Sequence, residues 1–265
     1  MKHRSLHGRK FGFLGFFNVL VMVYLLLPIA IIILYSFNLT AATMFPLHGF
    51  TTKWYVEVVQ NRSFLQALKN SVYVGLAVAF ISVIIGSLAS FALTRYEFKL
   101  KKAVSFSVLI PITLPAIILG ISLLSFFASI GLQRSLLTVI LGHAVFCIPF
   151  AVLIMNSRLE GFDTSVEEAA RDLGADAIQT FRYVTFPIIR PSIVGVIMLT
   201  FALSFDEFLV TFFIIGKENT LPIVVWGMLR RGVSPTINVI ATMVLVFSMT
   251  LIVIANKFAK IRTLY

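Results

Sequence analysis

Hydrophobic positions in this chain run together; they neither alternate nor recur every third or fourth residue. Six long apolar stretches stand out, at residues 11–37, 72–93, 103–130, 136–154, 193–215 and 237–255. Each comes close to or exceeds the roughly 20 residues that carry an α-helix across a bilayer, whereas a buried strand needs only about 4–8. The pattern predicts an all-α, polytopic membrane fold with six transmembrane helices. Short polar loops separate the stretches, with one long exception at 157–190 between the fourth and fifth. No repeat, low-complexity tract or separate soluble domain interrupts the series, so residues 1–265 are expected to form a single transmembrane domain.

Composition strengthens this picture. The chain is 59% hydrophobic and 12% charged, with a mean hydropathy of +0.98, more apolar surface than a soluble core of this length hides. The net charge of +11 does not point to nucleic acid, because the basic residues sit in loops beside apolar spans and not on one solvated face. They set orientation instead. Lys2, Arg4, Arg9 and Lys10 precede the first span; Arg95, Lys99, Lys101 and Lys102 follow the second; Arg158, Arg171, Arg182 and Arg190 lie in the long loop; Lys257, Lys260 and Arg262 close the chain. Alternating sides leaves only Lys53, Arg62, Lys69, Arg134, Lys217, Arg230 and Arg231 opposite them, so the positive-inside rule puts both termini in the cytoplasm.

The basic start resembles a secretory signal, yet its apolar run exceeds the usual length of about 7–15 residues and reads as a retained helix. Trp54, Tyr55 and Trp226 fall in external loops, where aromatic belts form. The single Cys147 excludes an intrachain disulfide and a cysteine cluster.

The long loop contains Thr164-Ser165-Val166-Glu167-Glu168-Ala169-Ala170-Arg171-Asp172-Leu173-Gly174. Thr164 with Glu167, and Ser165 with Glu168, have capping-box spacing, and Gly174 suits a left-handed helix end. Such a helix is too short to be stable alone and needs a surface to pack on. A second segment begins near Asp176 and keeps one apolar face through Ile178, Phe181, Val184 and Thr185, until Phe186-Pro187 is expected to stop it. Ala169 and Ala170 permit close approach by another protein. From the residues alone, this is either a docking element or a solvated loop with local helix.

Within the fifth stretch, Asp206 and Glu207 stand inside an apolar helical run beside Ser204 and Thr211. Each intramembrane carboxylate costs about 2.5–3.5 kcal/mol on insertion scales and needs compensation. Two readings fit: hydrogen bonding at a helix contact or outer vestibule, and a polar station for a cationic substrate. His143 and Cys147 share a helix face, but no further ligands stand near them, so a packing role is expected and no metal. Pro111, Pro115 and Pro149 are expected to kink their spans. Arg230 and Arg231 fit either an external receptor or plain solvation.

Glu168-Ala169-Ala170, three residues, Gly174, nine residues, then Val184-Thr185-Phe186-Pro187 resembles the EAA signature E-A-A-x3-G-x9-I-x-L-P of ABC-importer permeases, with apolar replacements at Val184 and Phe186. That resemblance implies a type I (MetI-like) importer permease fold and a coupling helix seated in a cleft of a cytoplasmic ATPase. Glu168, Ala169, Ala170 and Gly174 would carry ATP-driven motion, with Glu167 and Asp172 in the same segment. The chain has no phosphate loop, since Gly8-Arg9-Lys10 and Gly216-Lys217 lack its spacing, so no cofactor is expected here and ATP with Mg belongs to the partner ATPase.

Four further motifs look like those of PotC-type permeases of spermidine/putrescine importers. They are Gly49-Phe50-Thr51-Thr52-Lys53-Trp54-Tyr55, Ser157-Arg158-Leu159-Glu160-Gly161-Phe162-Asp163, Ser204-Phe205-Asp206-Glu207 and Gly232-Val233-Ser234-Pro235. This likeness implies a bacterial inner-membrane importer with a PotB-like second permease subunit, two ATPase subunits and an extracytoplasmic solute-binding protein. It leaves open aminophosphonates, opines or 4-aminobutyrate as cargo in place of a polyamine. A secondary transporter or channel using Asp206 and Glu207 as an ion relay is the rival reading. A membrane enzyme lacks a nucleophile and base side by side.

Overall fold

Helix α1 (Phe13–Ser36) is apolar around its whole circumference, and no residue from 15 to 35 is buried within the chain, which suits a helix solvated by hydrocarbon. The computed structural model describes residues 13–40, 49–232 and 234–260; the basic leader, Phe11, Val233 and Arg262 lie outside the described residues. After α1 the chain pairs Asn38 with Phe50 in an isolated antiparallel bridge and enters α2 (Lys53–Gln60). Trp54 and Tyr55 tie α2 back to the end of α1. The Trp54 indole donates to the Asn38 carbonyl at 2.9 Å, and the Tyr55 hydroxyl lies 2.7 Å from that of Ser36.

The second predicted span is longer than its apolar run. Helix α3 (Arg62–Arg95) starts ten residues before position 72, where Asn61 caps it by accepting the Phe64 amide at 3.2 Å. Its polar opening is satisfied through tertiary bonds: the Asn70 amide donates to the Asn219 carbonyl and the Leu221 amide donates to Ser71 Oγ, both at 2.8 Å.

The third predicted span is broken into α4 (Lys101–Thr113) and α5 (Ala116–Ser129), set at 108° to one another. Leu114 precedes Pro115, whose ring excludes the helical region for its neighbour, and Leu114 is accordingly extended at φ −82°, ψ 136°. Pro149, by contrast, lies inside an uninterrupted α6 (Leu136–Glu160).

The polar loop folds as α7 (Ser165–Asp172) and α8 (Ala177–Thr180), followed by a π-helical turn at Phe181–Thr185 that runs straight into α9 (Phe186–Phe205). Phe186-Pro187 therefore does not stop the helix. Pro187 has no N–H to give, and the turn before it widens so that the Phe186 amide bonds to the Phe181 carbonyl. Short helices α10 (Leu209–Ile214) and α11 (Leu221–Arg231) precede α12 (Pro235–Lys260).

Four helical runs among the described residues are long and apolar enough to cross a membrane, or five if the bent α4–α5 pair counts as one. The six expected are thus not all reached. The third is split by proline, and the described apolar stretch of the sixth, Pro235–Thr250, is shorter. The fifth is displaced, running Ala177–Phe205 instead of 193–215.

By backbone proximity, residues to Gln60 with 228–247 form one unit, and 61–227 with the rest of α12 form a second. In the second, α3, α6 and α9 pack against one another, and small residues set the approach of α3 to α6. A methyl group built on Gly86 would come within 2.5 Å of Ala151 Cβ, so α3 and α6 meet almost backbone to backbone. The Ser90 hydroxyl adds a bond to the Val152 carbonyl at 3.1 Å. Around this seam Val74, Val78, Val139, Ile140, Val210 and Ile214 form one buried cluster, and Ala151, Met155, Leu159, Phe162, Ile189 and Val196 another.

Candidate functional site

Two places gather polar chemistry, and the polar loop is the first. Helix α7 begins as expected, but not by the expected cap. Thr164 sits in the helical region at φ −69°, ψ −19° and makes no side-chain cap bond. Asp163, one residue earlier, accepts the Ser165 amide at 3.0 Å. Hydrogen bonds from the Ser165 hydroxyl and amide hold the Asp163 carboxyl below the usual carboxylate range.

The helix ends where the sequence predicts. Gly174 is left-handed at φ +90°, the Gly174 amide bonds to the Arg171 carbonyl, and the Ala175 amide reaches the Ala170 carbonyl at 3.0 Å. Asp176 and Gln179 then cap α8 reciprocally, at 2.8 and 3.0 Å, a pairing that the D-x-x-Q spacing announces.

Glu167 and Glu168, adjacent in sequence, part company. Glu168 is exposed, as are Ala169 and Asp172, while Ala170 is half-buried. Glu167 turns inward with its side chain only 12% exposed, and its Oε1 accepts from Arg95 Nη2 at 3.1 Å and from the Thr185 hydroxyl at 2.6 Å. Along the sequence Arg95 counts only among the basic residues that set orientation and Thr185 only as part of the segment ending at Phe186-Pro187; neither is a candidate site residue. The clue was Arg95 at the end of an apolar span, facing an acid-rich loop.

The second place is a break in the predicted fifth span. Asp206 and Glu207 do not lie inside a continuous helix, because α9 ends at Phe205 and α10 starts at Leu209. Glu207 makes the break itself tolerable by accepting the Val210 amide at 2.9 Å, one of the amide donors a helix start leaves free. The Thr211 hydroxyl donates to the Glu207 carbonyl at 2.9 Å.

His143 on α6 spans the gap. Its Nδ1 lies 2.8 Å from Ser204 Oγ on α9, and its Nε2 lies 2.8 Å from Thr211 Oγ1 on α10. Since the one Thr211 hydroxyl proton goes to Glu207, Thr211 accepts from His143 Nε2–H. In the neutral ring, Nδ1 then accepts from Ser204. Ser204, Glu207 and Thr211 are thus brought together, while the exposed Asp206 carboxylate takes no part in this network. His143 keeps its expected packing role, yet it is also what holds the broken span in register. Among the described residues no cluster of three His, Cys, Asp or Glu comes together.

A helical bundle with membrane-length runs, a span broken at a carboxylate pair and a short helix presented off its polar loop define a class: a polytopic membrane transport subunit. Residues 82–261 match the family described as binding-protein-dependent transport system inner membrane component, and the chain belongs to that family. It is a permease subunit of an ABC importer.

Among known proteins it is 36% identical over 252 residues to the spermidine/putrescine transport system permease protein PotC of Escherichia coli (strain K12), covering 94% of each chain. In fold it is similar to a bacterial ABC transporter involved in import of the acidic polysaccharide alginate, with a TM-score of 0.69 at 17% identity over 98% of this chain and 99% of that one. It is also similar to the MetNI methionine ABC transporter, with a TM-score of 0.59 at 19% identity over 76% of this chain and 98% of the other.

Proposed function

We propose that this permease imports a cationic polyamine, spermidine or putrescine, using Asp206 as a carboxylate station on the path. The observation that carries this reading is the division of labour at the break: Glu207 is spent on capping α10, whereas Asp206 is exposed and uncommitted. A polyamine presents several ammonium groups, and an uncommitted carboxylate held at a helix break is a matched partner in a medium of low dielectric. Identity to a spermidine/putrescine permease along 94% of the chain supports the same cargo. Ser204 and Thr211 frame the station through His143.

In this reading residues 1–265 are one permease domain, with both termini cytoplasmic. Counting the bent α4–α5 pair and α12 as crossings brings the spans to six. A second, PotB-like permease completes the path, two ATPase subunits carry ATP with Mg on the cytoplasmic side, and a solute-binding protein delivers cargo outside. The exposed face of α7, with Glu168, Ala169, Ala170 and Asp172, docks the ATPase, Gly174 ends the docking helix, and Glu167 anchors it from within. ATP-driven closure of the ATPase pair moves α7 and reorients the spans.

The test is ATP-driven uptake by the reconstituted complex in proteoliposomes. Labelled spermidine, putrescine, 4-aminobutyrate and an aminophosphonate are offered through the binding protein. Saturable polyamine uptake is expected. Uptake of another amine with none of polyamine rejects the cargo.

A further inference from the structure

Helix α7 has no buried residue of its own, and eight residues of helix do not hold together unaided in water. Something must carry a push on α7 into the bundle, and Glu167 is the residue of α7 that reaches it. Its carboxylate accepts from Arg95, the last residue of α3, and from Thr185, in the π turn that leads into α9. Thr185 is 3% exposed, so this is an inner joint and not a surface pair. The Arg95 guanidinium also lies 5.1 Å from the centre of the Phe162 ring, and Phe162 packs in the cluster that holds Leu159 of α6 and Ile189 of α9.

We propose that Arg95, Glu167 and Thr185 form a polar clamp that locks α7 to the inner ends of α3 and α9 together, so that the stroke reaching α7 moves both helices as one body. The inference rests on the docking role of α7 proposed above. It adds a route that the chain connection cannot supply. Residues 173–185 join α7 to α9 covalently, but Arg95 and Glu167 are 72 residues apart and nothing covalent ties α7 to α3 nearby. The three are positioning residues, not part of the path. A half-buried charge pair with a second donor on the same carboxylate oxygen is stiffer than an exposed pair, because removing either partner leaves the other charge short of solvent.

The experiment measures substrate imported per ATP hydrolysed by the full complex in proteoliposomes, alongside co-purification of the ATPase. Arg95→Ala and Glu167→Ala should each lower that ratio about tenfold with the ATPase still bound, and the exchange Arg95→Glu with Glu167→Arg should restore it to within about threefold, as for directly coupled neighbours. Thr185→Val, which keeps the shape and removes the hydroxyl, should lower the ratio about threefold, the effect of one lost hydrogen bond.

An unchanged ratio in the single variants, or an exchange no better than either single in an intact complex, overturns the clamp. Should the alanine variants fail to insert, Arg95→Lys and Thr185→Val take their place, and full coupling in both of those overturns it as well. Glu168→Lys separates this from the docking proposal. If it uncouples transport while the clamp variants do not, the clamp alone falls; if it leaves ATPase binding and coupling intact, the docking role itself falls.

Discussion

His143 Nε2 lies 2.8 Å from Thr211 Oγ1, joining the N-terminal third of α6 to the first turn of α10 across a break that the backbone of the fifth span leaves open. With Nδ1 equally close to Ser204, one fully buried ring holds both sides of the break. Interhelical hydrogen bonds inside membrane proteins average about 0.6 kcal/mol and reach about 1.7. His143→Ala loses two of them and opens a cavity, so it should lower stability by roughly 2–4 kcal/mol. His143→Phe, which fills the space without the bonds, should cost about half as much. Unfolding in mixed micelles, followed by circular dichroism, measures both, and a His143→Phe variant as stable as the unsubstituted chain would assign the whole effect to packing.

The two carboxylates at the break should separate under mutation. Asp206→Asn removes a charge that no hydrogen bond in the described structure uses, so thermal stability should stay within about 0.5 kcal/mol while polyamine uptake falls at least about tenfold. Glu207→Ala removes the acceptor for the Val210 amide and should cost about 1 kcal/mol, in the manner of a lost helix cap, whereas Glu207→Gln keeps an acceptor oxygen and should be milder. Full uptake by Asp206→Asn would move that acid to a vestibule role.

How far these features were legible along the chain depends on the range of the forces behind them. Helices α1, α3 and α6 stood out because a long apolar run has no other comfortable place, and Gly174 marked the end of α7 because a left-handed residue favours glycine. The break at Asp206 does not stand out, because residues on both sides are apolar and the contacts that bridge it, beyond the local Glu207 cap, come from His143 on another helix. Glu167 looked like half of a local capping box with Thr164. Its real partner, Arg95, is 72 positions away, and a long-range charge pair leaves no periodic mark. The turn at Pro187 departs from expectation for a related reason: proline's missing N–H argues for a stop, and only the widened π turn before it absorbs that loss.

Asp163 gives the loop a pH signature. Its carboxyl is held below its ordinary value by the Ser165 hydroxyl and amide, so the charged form is favoured in the folded loop. A depressed folded value means the cap is fully present above the unfolded pKa of about 3.9, and is lost as pH falls through the lower folded value. Protection of the Ser165 amide against hydrogen exchange, corrected for the intrinsic rate, should therefore persist through pH 4 and decline only below it. Asp163→Asn should flatten that decline, and loss of protection already between pH 6 and 5 would show that another group governs it.

The close approach of α3 to α6 offers a paired test. A methyl group on Gly86 would sit 2.5 Å from Ala151 Cβ, with the Ala151 carbonyl carbon and the Val152 amide nitrogen each at 3.3 Å. The first contact is a side chain that can be trimmed, and the other two are backbone that must shift. Gly86→Ala should force α3 away from α6 and cost about 1–3 kcal/mol, the usual penalty for overpacking a closed seam. Adding Ala151→Gly relieves the 2.5 Å contact but not the two at 3.3 Å, so the double variant should recover part of the loss and not all of it. Ala151→Gly alone should be mildly destabilising through lost packing and added backbone freedom. A double-mutant cycle on unfolding in mixed micelles reads the coupling directly: an interaction of about 0.5–3 kcal/mol in favour of the pair is expected, and strict additivity would mean that the seam is loose enough to accept a methyl group without the helices parting.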